Sequence, residues 1–148
     1  GARDNWHSAF NIHVHAAFYL CLAAVPYMKV QGGGSIILIS SAAGIRGVKN
    51  ALPYATAKGA IPQFVRSLAL ELGGDNIAVN CVSPGVIRTL FQDYLTPEQI
   101  NNNINNMIPL HREGTPDDVA HVINMLVSNH YITGENIVID GGMTMRIV

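Results

Sequence analysis

The chain has 148 residues, 49% of them hydrophobic and 13% charged, with a formal net charge of -1, the composition of one ordinary globular unit. No basic patch marks a nucleic-acid surface. No apolar stretch reaches the ~20 residues of a membrane span, since the longest candidate, Ala16 to Val30, contains Pro26 and Lys29.

The first predicted element is a helix from Asp4 to Met28, along which Trp6, Phe10, Val14, Ala17, Cys21 and Val25 recur at three- and four-residue steps and so share one face. Gly32, Gly33 and Gly34 then read as a turn. The apolar run Ser35 to Ser40, bounded by those glycines, predicts a buried parallel strand. It delivers Ser41 to the strand's C-terminal end, where open α/β sheets place their chemistry.

A second helix is expected from Pro53 to Leu72. Pro62, inside it, removes the hydrogen bond to the Lys58 carbonyl, so the helix should bend or offer that carbonyl to another donor. A second strand, Ile77 to Val82, leads into Ser83-Pro84-Gly85, and a helical pair follows Thr89. Two helix starts are legible in detail. Thr96-Pro97-Glu98-Gln99 and Thr115-Pro116-Asp117-Asp118 each supply a threonine cap, proline at the first position and a side-chain acceptor at the third. The last strand is Ile137 to Asp140, closed by Gly141-Gly142. Alternating helix and strand predicts an α/β fold with a parallel sheet.

Within this layout Tyr54 and Lys58 stand four residues apart on a helix. Four residues turn through about 400°, so a phenol and an ammonium share one face. A neighbouring cation favours the phenolate, and Pro53 at the helix start puts Tyr54 in the first turn, at the positive end of the helix dipole. Tyr54 is thus a candidate general acid/base. A solvated surface pair would have the same spacing, so the assignment rests on the accompanying motifs.

Those motifs are Ser41 thirteen residues before Tyr54, Lys58 four after it, Asn80 four before Pro84-Gly85 and Thr89 five after Pro84. Arg112-Glu113-Gly114-Thr115-Pro116 and Thr133-Gly134 before Asp140-Gly141-Gly142 complete the series. In order and spacing, from Trp6 to Gly142, the chain resembles the short-chain dehydrogenases/reductases. The resemblance implies the C-terminal part of a doubly wound, parallel-sheet Rossmann-type fold, with residues 1–148 forming a single partial domain.

It further implies an oxidoreductase that uses NAD or NADP to interconvert a carbonyl and an alcohol. Tyr54 would exchange a proton with the substrate oxygen and Ser41 would hydrogen-bond it, although a strand-end hydroxyl can equally satisfy local backbone. Lys58 would also hold the nicotinamide ribose. Pro84 and Gly85 would let backbone approach the nicotinamide, with the Ile87 backbone and the Thr89 hydroxyl in contact with it. The family's fourth catalytic position, usually asparagine, falls on His13, which either serves the proton relay or merely fills the place.

The glycine-rich turn that cradles a dinucleotide's phosphates follows a strand and opens a helix. Gly32 to Gly34 instead precede a strand, so in family terms that turn lies before residue 1 and the chain reads as a C-terminal fragment. Such a piece is expected to expose an apolar strand edge, to be marginal or self-associating, and to bind dinucleotide poorly. Its partners should be a small neutral alcohol or ketone and copies of itself in a homodimer or homotetramer, with neither nucleic acid nor membrane. Two segments should flank the substrate pocket. These are Ala42 to Leu52 and Leu90 to Pro109, the latter beginning with the apolar Leu90, Phe91, Tyr94 and Leu95. The asparagines at 101–103 and 105–106 read as a solvated lid helix. Cys21 and Cys81 read as buried thiols in a reducing compartment, and the expected location is cytoplasmic. No histidine spacing suits a metal. The alternative is a truncated or catalytically silent member that acts through subunit association.

Overall fold

A computed structural model describes residues 2–90 and 95–145. The chain opens with α1 (Ala2–Phe10), passes through a π-helical turn (Asn11–His15) and continues as α2 (Ala16–Val30). There follow β1 (Gly34–Ile39), α3 (Leu52–Leu72) and β2 (Ile77–Pro84). The last elements are α4 (Pro97–Asn102), α5 (Pro116–Ser128) and β3 (Asn136–Ile139). The strands form one parallel sheet in the order β1-β2-β3, with Ile37 opposite Asn80 and Val82 opposite Ile137.

β2 is the central strand, buried on both faces, and its side chains alternate between them. Ile77, Val79 and Cys81 pack against Ile61, Val65, Ala69 and Leu72 of α3, and this cluster is the core. α5 lies on the sheet as well, contacting all three strands and burying Leu126 completely. Asn80, fully buried, reaches sideways instead. Its amide donates to the Ile132 carbonyl at 2.7 Å and its oxygen accepts from the Glu135 N–H at 3.0 Å. With Thr133, whose hydroxyl oxygen accepts from the Val79 N–H, it fixes the turn that feeds β3.

The local expectations at the helix ends hold. Thr96 and Thr115 form reciprocal capping boxes with Gln99 and Asp118, each with proline in the first turn. Gly32 to Gly34 are a turn held by Asn76. Its side chain donates to the Gly32 carbonyl, and a Cβ on Gly33 would lie 2.3 Å from the Asn76 oxygen. The asparagine patch is an exposed ladder, Asn105 donating to Asn101 and Asn106 to Asn102, so these side chains partly satisfy one another.

Two expectations need correction. The first concerns the apolar length of the opening helix. Because the π turn continues α1 into α2, the helical segment Asn5–Val30 spans 26 residues and is long and apolar enough to cross a membrane. Reading Ala16 to Val30 in isolation missed this. Its inner face nevertheless has a use within the protein, since Ala17, Val25 and Met28 pack against the core cluster. The second concerns β2, which runs two residues beyond its expected end, to Pro84, because Ser83 and Pro84 still pair with β3.

Candidate active site

The C-terminal ends of β1 and β2 and the first turns of α3 converge on a cavity of about 730 Å³. Its wall includes Ser41, Tyr54 and Lys58 and, from the segment after β2, Pro84, Gly85, Ile87 and Thr89. Seven positions expected from the sequence therefore meet in one place. The eighth, His13, does not line the cavity but stands behind Tyr54, the two rings edge-on with centroids 5.3 Å apart.

Ser41 lies two residues past the end of β1 and caps the short 3₁₀ turn Ala42–Gly44, its hydroxyl oxygen accepting from the Ala43 N–H at 3.1 Å. The local backbone role is thus real, and it leaves the hydroxyl proton available to a substrate oxygen. The turn is pressed onto α3. A Cβ on Gly44 would come within 2.7 Å of the Gly59 nitrogen and the Lys58 carbonyl carbon, so only glycine lets the Ser41 loop reach the Tyr54 helix this closely.

Lys58 is held by both its backbone and its side chain. Its ammonium donates to the last β1 carbonyl, Ile39, at 2.9 Å and lies 5.9 Å from the Tyr54 ring centroid. Burial pushes its pKa down from the ordinary lysine value. Its main-chain carbonyl, freed by Pro62, accepts from the buried Ser40 hydroxyl at 2.8 Å. The proline in α3 thereby ties the helix that carries Tyr54 to the strand that carries Ser41. His13 sits at the centre of the π turn, an irregularity that re-aims side chains and is frequent at functional sites. Partial burial, and secondly the Lys58 charge, lower its pKa and favour the neutral imidazole.

Gly85 has an internal reason to be glycine besides its place on the cavity wall. A Cβ there would sit 2.7 Å from the Asp140 Cβ and 2.8 Å from its Cα, so the close approach glycine permits is to the fold's own backbone. Asp140 uses its two carboxylate oxygens on the Gly142 and Thr144 N–H groups, which accounts for the Asp-Gly-Gly ending structurally. Beyond Gly85, Ile87 pairs with Gly114 and Arg88 closes on Glu113, fastening the Ile87 to Thr89 segment to the loop before α5. Arg112 makes a bidentate pair with Asp118 at 2.9 and 3.1 Å and holds that carboxyl well below the usual carboxylate range.

Sequence reasoning missed Arg46, a cation on the cavity wall whose Nε donates to the Thr144 carbonyl at 2.6 Å. The available signal was its position inside Ala42 to Leu52, a segment expected beside the substrate. Of the apolar residues expected on the other flank, Leu90 is 88% exposed and contributes nothing to the wall. Phe91 and Tyr94 lie outside the described residues.

This geometry can be set beside known proteins. Residues 1–144 match the family described as Enoyl-(Acyl carrier protein) reductase. The chain belongs to the short-chain dehydrogenase/reductase family. It is 38% identical over 144 residues to a 3-oxoacyl-acyl-carrier-protein reductase of Thermotoga maritima, covering 96% of this chain and 58% of that protein. Among solved structures, a 3-oxoacyl-acyl-carrier-protein reductase of Brucella melitensis with bound NAD is 31% identical with a TM-score of 0.86, over 99% of this chain and 54% of that one. ElxO with NADP bound also gives 0.86, at 28% identity, over 95% of this chain and 58% of its own. The chain thus spans little more than half the length of these short-chain relatives.

Proposed function

We propose that these residues form the catalytic half of an NAD(P)-dependent oxidoreductase that interconverts a small alcohol and a ketone. The observation that carries the reading is the single cavity shared by Ser41, Tyr54, Lys58 and the Pro84 to Thr89 segment. The residues present suit the nicotinamide end of a dinucleotide. Among the described residues one of the three Lys58 donors is committed, to Ile39, which leaves two for ribose hydroxyls, and Ile87 and Thr89 border the same space. Relatives with NAD and with NADP bound support either cofactor. When bound, the nicotinamide supplies or accepts the hydride.

The chain's own residues handle the proton. The Tyr54 hydroxyl gives its proton to the oxygen that gains charge as a ketone is reduced, and takes it back in the reverse direction. Ser41 donates to the same oxygen and fixes its position. The Lys58 ammonium stabilises the negative charge left on the Tyr54 oxygen and holds the ribose. His13 is a positioning residue, its ring edge limiting the swing of the Tyr54 ring. Its neutral form has one nitrogen to accept and one to donate, as a proton relay requires.

The test is Tyr54→Phe in the full-length gene product. Turnover should fall about a hundred- to ten-thousand-fold with cofactor affinity retained. Nicotinamide-dependent turnover at the wild-type rate would rule out the assigned donor.

A second reading, subunit association with or without catalysis, is favoured by the outward face of α2, where Phe18, Tyr19, Leu20 and Leu22 are each 48% exposed or more. Those residues suit a second copy in a homodimer or homotetramer, in a cytoplasmic protein whose thiols are buried.

A further inference from the structure

The cavity that holds Ser41, Tyr54 and Lys58 carries a second cation. Arg46 lies on its wall, and none of the described residues lining that wall is an aspartate or glutamate. The rest is largely apolar, with Val48, Val119, Ile123 and Met143 among its members. Arg46 itself is exposed, so its guanidinium is hydrated in the free protein and open to a carboxylate that enters the cavity.

Arg46 is also fixed in place. Its Nε donates to the carbonyl of Thr144 at 2.6 Å, a contact across 98 positions of sequence. Thr144 is itself buried and anchored, its N–H donating to Asp140 at 2.7 Å. The Arg46 N–H is held by the Ala42 carbonyl. Both ends of the residue are therefore tied to elements that do not depend on a ligand. Its two terminal nitrogens have no hydrogen-bond partner among the described residues, and they form the half of the planar fork that pairs with a carboxylate.

The geometry points to Arg46 as the residue that selects the substrate, an alcohol or ketone that also carries a carboxylate. The inference rests on the oxidoreductase reading above and replaces the neutral substrate expected from sequence. The carboxylate docks on Arg46, the apolar wall takes the carbon skeleton, and the hydroxyl or carbonyl is left to Ser41 and Tyr54. Lys58 cannot fill the same role while it is committed to Ile39 and to the cofactor side. The Arg46 charge comes from a residue outside the proton-transfer set, so its loss should alter which substrate is chosen more than how the proton moves.

The experiment compares binding of hexanoate and hexanamide, neither of which can be oxidised or reduced at this site, to wild type, Arg46→Gln and Arg46→Lys by calorimetry at fixed ionic strength. Hexanoate should bind wild type about tenfold more tightly than hexanamide. That preference should vanish in Arg46→Gln and survive, reduced, in Arg46→Lys. Equal binding of the two ligands, binding of neither, or a preference that persists in Arg46→Gln overturns the proposal. So does a loss of NAD(P) affinity in Arg46→Gln with the hexanoate preference intact, which would assign the arginine to the cofactor. The oxidoreductase reading is read separately, from turnover of an oxo acid and of the corresponding methyl ketone by the full-length gene product. Turnover of neither sinks that reading without touching the binding result, and turnover of the ketone with no hexanoate preference sinks only the role of Arg46.

Discussion

The seam between α3 and β2 and the outer face of α2 are built from the same kinds of apolar residue but have opposite fates. In the seam Ile61, Val65, Ile77 and Val79 are at most 1% exposed. On α2, Tyr19, Leu20, Leu22 and Tyr27 are between 61% and 74% exposed. The free edge of β1 resembles α2 in this respect, with Ile39 46% exposed at its end. The seam is therefore complete within the chain, whereas α2 and the β1 edge present surface of the kind that more protein covers. The candidate site straddles the two, with Tyr54 and Lys58 on the finished side and His13 on the helix whose other face is open.

The largest expected effect tests this contrast directly. Ile61→Ala should cost about 2–5 kcal/mol of unfolding free energy, because a fully packed site cannot collapse around the missing atoms. Leu22→Ser, 61% exposed in the chain, should change it by no more than about 0.5 kcal/mol while weakening self-association. Denaturant unfolding at low protein concentration and sedimentation equilibrium read the two quantities. A large unfolding cost at Leu22 under monomeric conditions would erase the distinction between the regions.

The finished region is also the one that could be read from the sequence. The proline-led start of α3, the apolar run of β1 and the Thr-Pro helix starts are local signals: β1 and α3 lie within one residue of their expected ends, and α4 and α5 begin at the expected prolines. Tyr54 and Lys58 were legible from their helical spacing, Ser41 and the Pro84 to Thr89 segment only through the resemblance to the family, and one cavity brings these positions together. What was not legible depends on contacts between distant positions. The clearance that Gly85 provides belongs to Asp140, the Arg46 anchor is Thr144, and the π turn at Asn11–His15 has no marker such as proline or glycine. The apolar length of the first helix was missed for another reason: the helix was expected as one piece from Asp4 to Met28, but its hydropathy was weighed over Ala16 to Val30 alone.

A smaller effect probes how the site is attached to the finished region. Ser40→Ala removes the donor that satisfies the Lys58 carbonyl, leaving a part-buried acceptor unpaired at a cost of about 1–3 kcal/mol. Pro62→Ala in the same chain restores a backbone N–H four residues after Lys58, so the double variant should recover much of the loss. Additive losses in this cycle would show that Pro62 and Ser40 are not the linked pair the structure describes.

The smallest effect falls on the open side and depends on pH. His13 has a lower pKa in the folded protein than in the unfolded chain, from burial first and the Lys58 charge second. Below the unfolded value of about 6.5 the unfolded state therefore binds more protons at this position, and stability falls as pH falls toward the folded pKa. His13→Asn, which cannot take up the proton, should flatten that part of the stability profile and leave it unchanged above pH 7. The same loss of stability on acidification in wild type and His13→Asn would place the sensitive group elsewhere. A slope present only in wild type would show that the imidazole behind Tyr54 is held neutral, by burial first and by the Lys58 charge second, which is the condition its relay role requires.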